Sequence, residues 1–137
     1  MFESLNARLD HIGIAVRDLA AATAIFERLG LAKTEPETVE EQDIEVIMLP
    51  TGDARIELLR SISEDSPVAK FIEKRGEGIH HIALAVPDIR AVLKRCRDSG
   101  MTLIDAEPRL GAGGCLIAFL HPTSTGGVLI ELIQRSS

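Results

Sequence analysis

Apolar and polar positions alternate over residues 9–16, with Ile12, Ile14 and Val16 on one side and His11, Gly13 and Ala15 on the other. A period of two predicts a strand. Asp18 then opens a helix that runs to about Leu29, with Leu19, Ala22, Ile25, Phe26 and Leu29 as its apolar stripe and Gly30 as its stop. Strand-like runs follow at about 32–38, 44–49 and 54–59, the last two joined by the turn Pro50-Thr51-Gly52-Asp53. The same order then returns: a strand at 79–86, a helix at 88–99 stopped by Gly100, and strands near 102–106, 115–120 and 128–133. Between the halves, Ser66 caps and Pro67 begins a short helix that Gly76 ends. The pattern predicts an α+β chain of two tandem strand-helix-three-strand (βαβββ) modules, repeat one at about 8–60 and repeat two at about 78–134. A linker helix at about 66–76 joins them within a single domain, 1–137.

The repetition extends to the residues themselves. Asp10-His11-Ile12-Gly13-Ile14-Ala15-Val16 reads against His80-His81-Ile82-Ala83-Leu84-Ala85-Val86, which sets His81 70 positions after His11. Ile56-Glu57-Leu58-Leu59 returns 74 positions later as Ile130-Glu131-Leu132-Ile133. The companions of each histidine on its strand face are small, Gly13 and Ala15 or Ala83 and Ala85, which leaves room for a ligand. One such histidine alone reads as a hydrogen-bonded core residue, and one such glutamate as a solvated strand residue. Recurrence of both types at equivalent points of a duplication points instead to metal ligation. Two imidazoles and two carboxylates suit Mg, Mn, Co, Ni, Zn or Fe(II) with positions left open, and the lack of thiolates argues against a closed structural zinc. His80 falls on the opposite strand face from His81, and His121, before Pro122, reads as a turn residue.

Composition narrows the partners. With 137 residues, 45% of them hydrophobic, the chain is long enough for a core. A formal charge of −6, no Trp and no Tyr argue against a nucleic-acid partner. No apolar run approaches the ~20 residues of a bilayer span, so no membrane partner is expected. Residues 1–10 carry acids and no apolar core of a signal peptide. Cys96 and Cys115, the two cysteines, imply no disulfide framework and a cytoplasmic setting. Cys96 falls on an apolar helix stripe with Val92 and Leu93, and Cys115 beside glycines is expected to be partly exposed. Gly111-Ala112-Gly113-Gly114 lacks the Lys-Ser/Thr of a nucleotide loop and reads as a flexible turn. Lys70, Lys74 and Arg75 form a small cationic cluster, either a solvated helix face or a contact for phosphates.

Several longer words carry a resemblance. Residues 9–16, Glu41-Gln42, Ile56-Glu57-Leu58-Leu59, Glu64-Asp65-Ser66-Pro67-Val68-Ala69-Lys70-Phe71, and the stretches 74–83, 105–114 and 121–132 are similar to members of the methylmalonyl-CoA epimerase family. That family sits in the vicinal oxygen chelate superfamily, so the resemblance implies an open, cup-shaped, eight-stranded mixed sheet around a metal site. It implies His11, Glu57, His81 and Glu131 as metal ligands, with Co2+ first and Mn2+, Mg2+, Ni2+ or Zn2+ as alternatives, and no organic cofactor. The substrate would be an acyl-CoA, a 2-alkylmalonyl thioester, and the protein a homodimer. The C2 proton of such a thioester is acidified when both neighbouring oxygens are chelated and the enolate is stabilised; one group removes the proton and another returns it on the opposite face. Glu131 and Glu57 are the expected acid/base pair, and Lys70, Gly113 and Gly114 the expected substrate contacts. Val46 stands where some members of the family carry a glutamate proposed as a base, and strand alternation turns the adjacent Glu45 to the other face. Asp43 stands where glycine is common, and Arg60 and Cys115 also depart from the family's usual residues. Alternatives on the same scaffold are a glyoxalase I-like isomerase acting on a hemithioacetal, an extradiol dioxygenase, in which Glu57 would be redundant, and a non-enzymatic small-molecule-binding protein.

Overall fold

The structure, a computed structural model, describes residues 6–135. Its backbone clusters into two compact units, residues 11–80 and the described residues 6–10 with 81–135. The first holds most of β1 (Arg8–Ala15), then α1 (Leu19–Arg28), β2 (Glu37–Val39), β3 (Ile44–Pro50), β4 (Arg55–Ser61) and α2 (Pro67–Arg75). Its strands lie in the order β2-β3-β4-β1, antiparallel except for the parallel pair β4–β1. The second holds most of β5 (Gly78–Ala85), then α3 (Ile89–Asp98), β6 (Arg109–Leu110), β7 (Leu116–Leu120) and β8 (Ile130–Gln134). Here the order is β5-β8-β7-β6, again with one parallel pair, β5–β8. The α+β class and the doubled strand-helix-three-strand module are those the pattern predicted.

Local chemistry explains why the helices begin and end alike. The Asp18 carboxylate accepts from Ala21 N at 3.0 Å, and the Asp88 carboxylate from Ala91 N at 3.2 Å. Such a cap stabilises a helix start by about 1 kcal/mol relative to alanine. Gly30 and Gly100 follow the two helix ends with φ of 92° and 85°, a region that a Cβ disfavours. α2 starts on Ser66, whose hydroxyl accepts from Ala69 N, with Pro67 at its first position, and it packs on β4.

Each sheet buries one face under its helix. Ile14, Val16, Leu19, Ile47, Leu49 and Leu58 form this core in the first unit, and Val86, Ile89, Leu93, Ala118, Leu120 and Leu132 lead it in the second. Cys96 packs there with Val92 and Leu93, as its stripe position implied. Over residues 11–20 and 81–90 the succession of buried, half-buried and exposed positions is identical. The opposite faces carry His11, Gly13 and Ala15, or His81, Ala83 and Ala85.

Two predicted strands are shorter or absent, for one shared reason. Only residues 37 and 38 of the run at 32–38 join the sheet, within β2, and 102–106 forms no strand beyond a bridge from Leu103 to Leu120. In the first unit Thr34 N donates to Met48 O at 2.8 Å while Thr34 Oγ1 accepts from Met48 N at 3.1 Å. In the second, Asp105 N donates to Phe119 O at 3.2 Å and Asp105 Oδ2 accepts from Phe119 N at 2.8 Å. A polar side chain thus replaces a neighbouring strand's carbonyl at matching places in the two repeats, and the ladder stops.

Candidate functional site

The registers place both histidine–glutamate pairs on the sheet faces turned away from the helices. In the first unit Gly13 stands beside Glu57, so His11, two residues earlier on β1, shares its face. His11 Nε2 lies 3.5 Å from Glu57 Oε1. In the second unit Ala83 stands beside Glu131, and His81 Nε2 lies 2.9 Å from Glu131 Oε1. All four residues are buried, with exposures of 2% and 5% for His11 and Glu57 and 4% and 6% for His81 and Glu131.

That burial carries an electrostatic argument. An ionised carboxylate removed from water costs several kcal/mol unless a cation or dense hydrogen bonding compensates. With a neutral imidazole, each pair carries one net negative charge, which a bound cation would offset. Oxygen and nitrogen donors without thiolate fit a catalytic ion rather than a closed zinc knot.

Neighbouring residues settle several sequence expectations. Val46 pairs with Leu59 and Glu45 with Arg60 in an unbroken register, so Val46 shares the face of Glu57 and Glu45 does not. Glu45 is held on the helix side by Arg60, through Nε at 3.3 Å and Nη2 at 2.9 Å. Arg60 is therefore an outer-face residue. Asp43 adopts a left-handed conformation, φ 58°, which glycine takes up at less cost than other residues, and its carboxylate takes the Ser63 hydroxyl. His80, half-buried, packs edge-on against Phe71 with centroids 4.9 Å apart. His121 caps the 3-10 turn Pro122–Ser124, its Nδ1 accepting from Thr123 N at 3.1 Å. Lys70 is an exposed residue of α2, and Gly113 and Gly114 are exposed in the 3-10 turn Ala112–Gly114.

The expectation for Cys115 is corrected. It is 4% exposed, packed with Ile117, Phe119 and Ile133, and Arg135 Nη1 donates to its Sγ at 3.6 Å. The glycine turn folds over it, with Gly111 N donating to Cys115 O at 2.9 Å. Gly111 has no room for a side chain, since a Cβ there would sit 2.8 Å from Ile117 Cγ2.

Two features escaped the pattern because they join distant residues. Asp10, 3% exposed and next to His11, receives a two-pronged contact from Arg135, Nε–Oδ1 2.6 Å and Nη2–Oδ2 2.7 Å. Those hydrogen bonds, opposed by partial burial, hold the Arg135 guanidinium above the ordinary arginine range. Arg109 is the other. Its register partner Ile117 lies on the His81 face, a relation that only the pairing of β6 with β7 discloses.

Residues 10–119 match the Glyoxalase/Bleomycin resistance protein/Dioxygenase superfamily, and the chain belongs to it. Its relatives then narrow the class. The chain is 45% identical over 128 residues to the uncharacterised protein YqjC of Bacillus subtilis, covering 93% of this chain and 91% of that one. It is 40% identical over 130 residues to the ethylmalonyl-CoA/methylmalonyl-CoA epimerase of Cereibacter sphaeroides, covering 93% and 97%. A Ser-to-Thr variant of the Streptomyces coelicolor methylmalonyl-CoA epimerase, in complex with 2-nitronate-propionyl-CoA, superposes with a TM-score of 0.91 at 39% identity, covering 95% of each chain.

Proposed function

We propose that this chain is a divalent-metal-dependent methylmalonyl-CoA epimerase that inverts C2 of its substrate by proton transfer. The observation that carries the reading is likeness along nearly the whole length to epimerases of malonyl-type CoA thioesters, one with a substrate analogue bound. The two buried histidine–glutamate pairs support it, because they supply donors of the right charge and type.

In this reading His11, Glu57, His81 and Glu131 hold the ion, Co2+ before Mn2+, Mg2+, Ni2+ or Zn2+. The ion supplies Lewis acidity, stabilising the negative charge that develops on the substrate oxygens as C2 loses its proton. Glu131 and Glu57 are the acid/base pair. One carboxylate removes the C2 proton and the other returns one to the opposite face, which inverts the centre. Val46 carries no titratable group, and Glu45, fixed outward by Arg60, takes no part. Their burial keeps both carboxylates out of bulk water, which strengthens their interaction with the charge that forms. Lys70, Gly113 and Gly114 contact the coenzyme A portion. The protein works in the cytoplasm as a homodimer; among the described residues no helix is long and apolar enough to cross a membrane.

Exchange of the C2 proton of methylmalonyl-CoA with deuterated solvent tests the reading. Exchange is expected with an added divalent ion and is expected to stop with chelator. No exchange across Co2+, Mn2+, Mg2+, Ni2+ and Zn2+ would remove it.

A further inference from the structure

Arg109 stands at the edge of the sheet face that carries His81 and Glu131. It pairs with Ile117 across β6 and β7, and Ile117 lies with Ala83, Ala85, Phe119 and Ile133 on the face that carries His81 and Glu131. Its guanidinium carbon sits 5.7 Å from the centroid of the Phe119 ring, over the ring face. The same ring meets the His81 imidazole edge to face, with centroids 5.8 Å apart and planes at 87°. One phenyl ring therefore separates the arginine from a proposed ligand of the ion.

The guanidinium is held but not used up. Asp105 Oδ1 is 3.4 Å from Nε, an ion-pair distance without hydrogen-bond geometry, and the enclosed Nε has no hydrogen-bond partner among the described residues. Asp105 spends its other oxygen on Phe119 N, which ties the aspartate, and with it the arginine, to the strand beside Glu131. The side chain of Arg109 is 39% exposed, so its planar fork of donors is oriented at the root and accessible at the tip. A planar oxyanion is the partner such a fork fits best.

We propose that Arg109 receives the free carboxylate of the substrate and so selects malonyl-type over simple acyl thioesters of coenzyme A. This deepens the substrate reading above and rests on it. A carboxylate has two oxygens; with one turned toward the His81–Glu131 pair, the other faces outward to the arginine. The coenzyme A phosphates lie the whole pantetheine arm away from the acyl group, which leaves the carboxylate as the near anion.

Calorimetric titration of the Co2+-loaded protein with methylmalonyl-CoA and with propionyl-CoA, which lacks the carboxylate, tests this. The wild type is expected to favour methylmalonyl-CoA by about tenfold or more, the value of one charge-assisted contact of about 1.4 kcal/mol. Arg109→Met is expected to cut that preference by about tenfold, leaving whatever the ion itself contributes, with propionyl-CoA affinity unchanged, which also shows the fold intact. Arg109→Lys is expected to restore only part, because it keeps the charge without the fork. An unaltered preference in Arg109→Met, or equal weakening toward both thioesters, overturns the proposal. A wild type that binds both without preference overturns it too, whereas one that binds neither overturns the substrate reading along with it.

Discussion

Removing one partner of the Asp10–Arg135 pair should cost different amounts depending on which partner goes. Arg135→Met leaves Asp10, 3% exposed, without the cation that contacts both its oxygens. Deleting one member of a buried pair costs about 3–5 kcal/mol. Arg135 is 29% exposed in its side chain, so water reaches the gap and about 3 kcal/mol is expected. Asp10→Asn leaves the guanidinium instead, which can turn to solvent while the amide oxygen still accepts one bond, so about 1–1.5 kcal/mol is expected. Urea unfolding followed by circular dichroism, with a shared slope, measures both. Thermal midpoints should fall in the same order, by roughly 10 °C and 4 °C. Because Asp10 holds Arg135 above the ordinary arginine range, the arginine's contribution is fully present below its unfolded value and is lost only as pH rises through the higher folded one. The gap between the variants should therefore persist from neutral to mildly alkaline pH. Equal losses, a larger loss for Asp10→Asn, or losses under about 0.5 kcal/mol for both would show that the pair behaves as a surface contact and refute the reasoning.

Other substitutions report on other parts of the chain. His81→Ala should lose tight metal uptake, read by elemental analysis after dialysis, together with C2 exchange; full turnover in that variant would exclude His81 as a ligand. Gly111→Ala should destabilise by about 1–3 kcal/mol through overlap with Ile117, and adding Ile117→Ala should recover part of it in the same urea assay. If Gly111→Ala is neutral, the turn has slack that the 2.8 Å contact denies. Burial pushes the Cys96 thiol above its ordinary range, so it stays protonated at neutral pH. Alkylation of Cys96 and of the enclosed Cys115 should be slow in native protein and fast in urea, and rapid native labelling of Cys96 would contradict its packing.

Local signals made most of this architecture readable. Caps at Asp18, Ser66 and Asp88 and strict alternation around His11 and His81 depend on near neighbours, and the helices and inner strands stand within a residue or two of their expected places. The errors fall where a distant partner decides. Thr34 and Asp105 take over a strand's hydrogen bonds with their side chains, and nothing adjacent to them in the chain announces it. Cys115 sits among glycines, yet Arg135 and the turn from Gly111 enclose it. The histidine–glutamate pairs were visible only because the chain states them twice. Asp10–Arg135 and the facing of Arg109 were not, since each occurs once and depends on segments that only the fold brings together.

The matched roles of Thr34 and Asp105 bear on how a duplicated scaffold handles a pair of epimers. Both serve the backbone alike, but only the aspartate brings charge, and with it Arg109 beside Phe119. In the proposed reaction, reactant and product differ only in handedness at one carbon, so duplicated carboxylates let either configuration of that centre meet an equivalent base. An anchor present in one copy alone would break that even-handedness, holding the carboxylate in place while the carbon it is bonded to turns inside out.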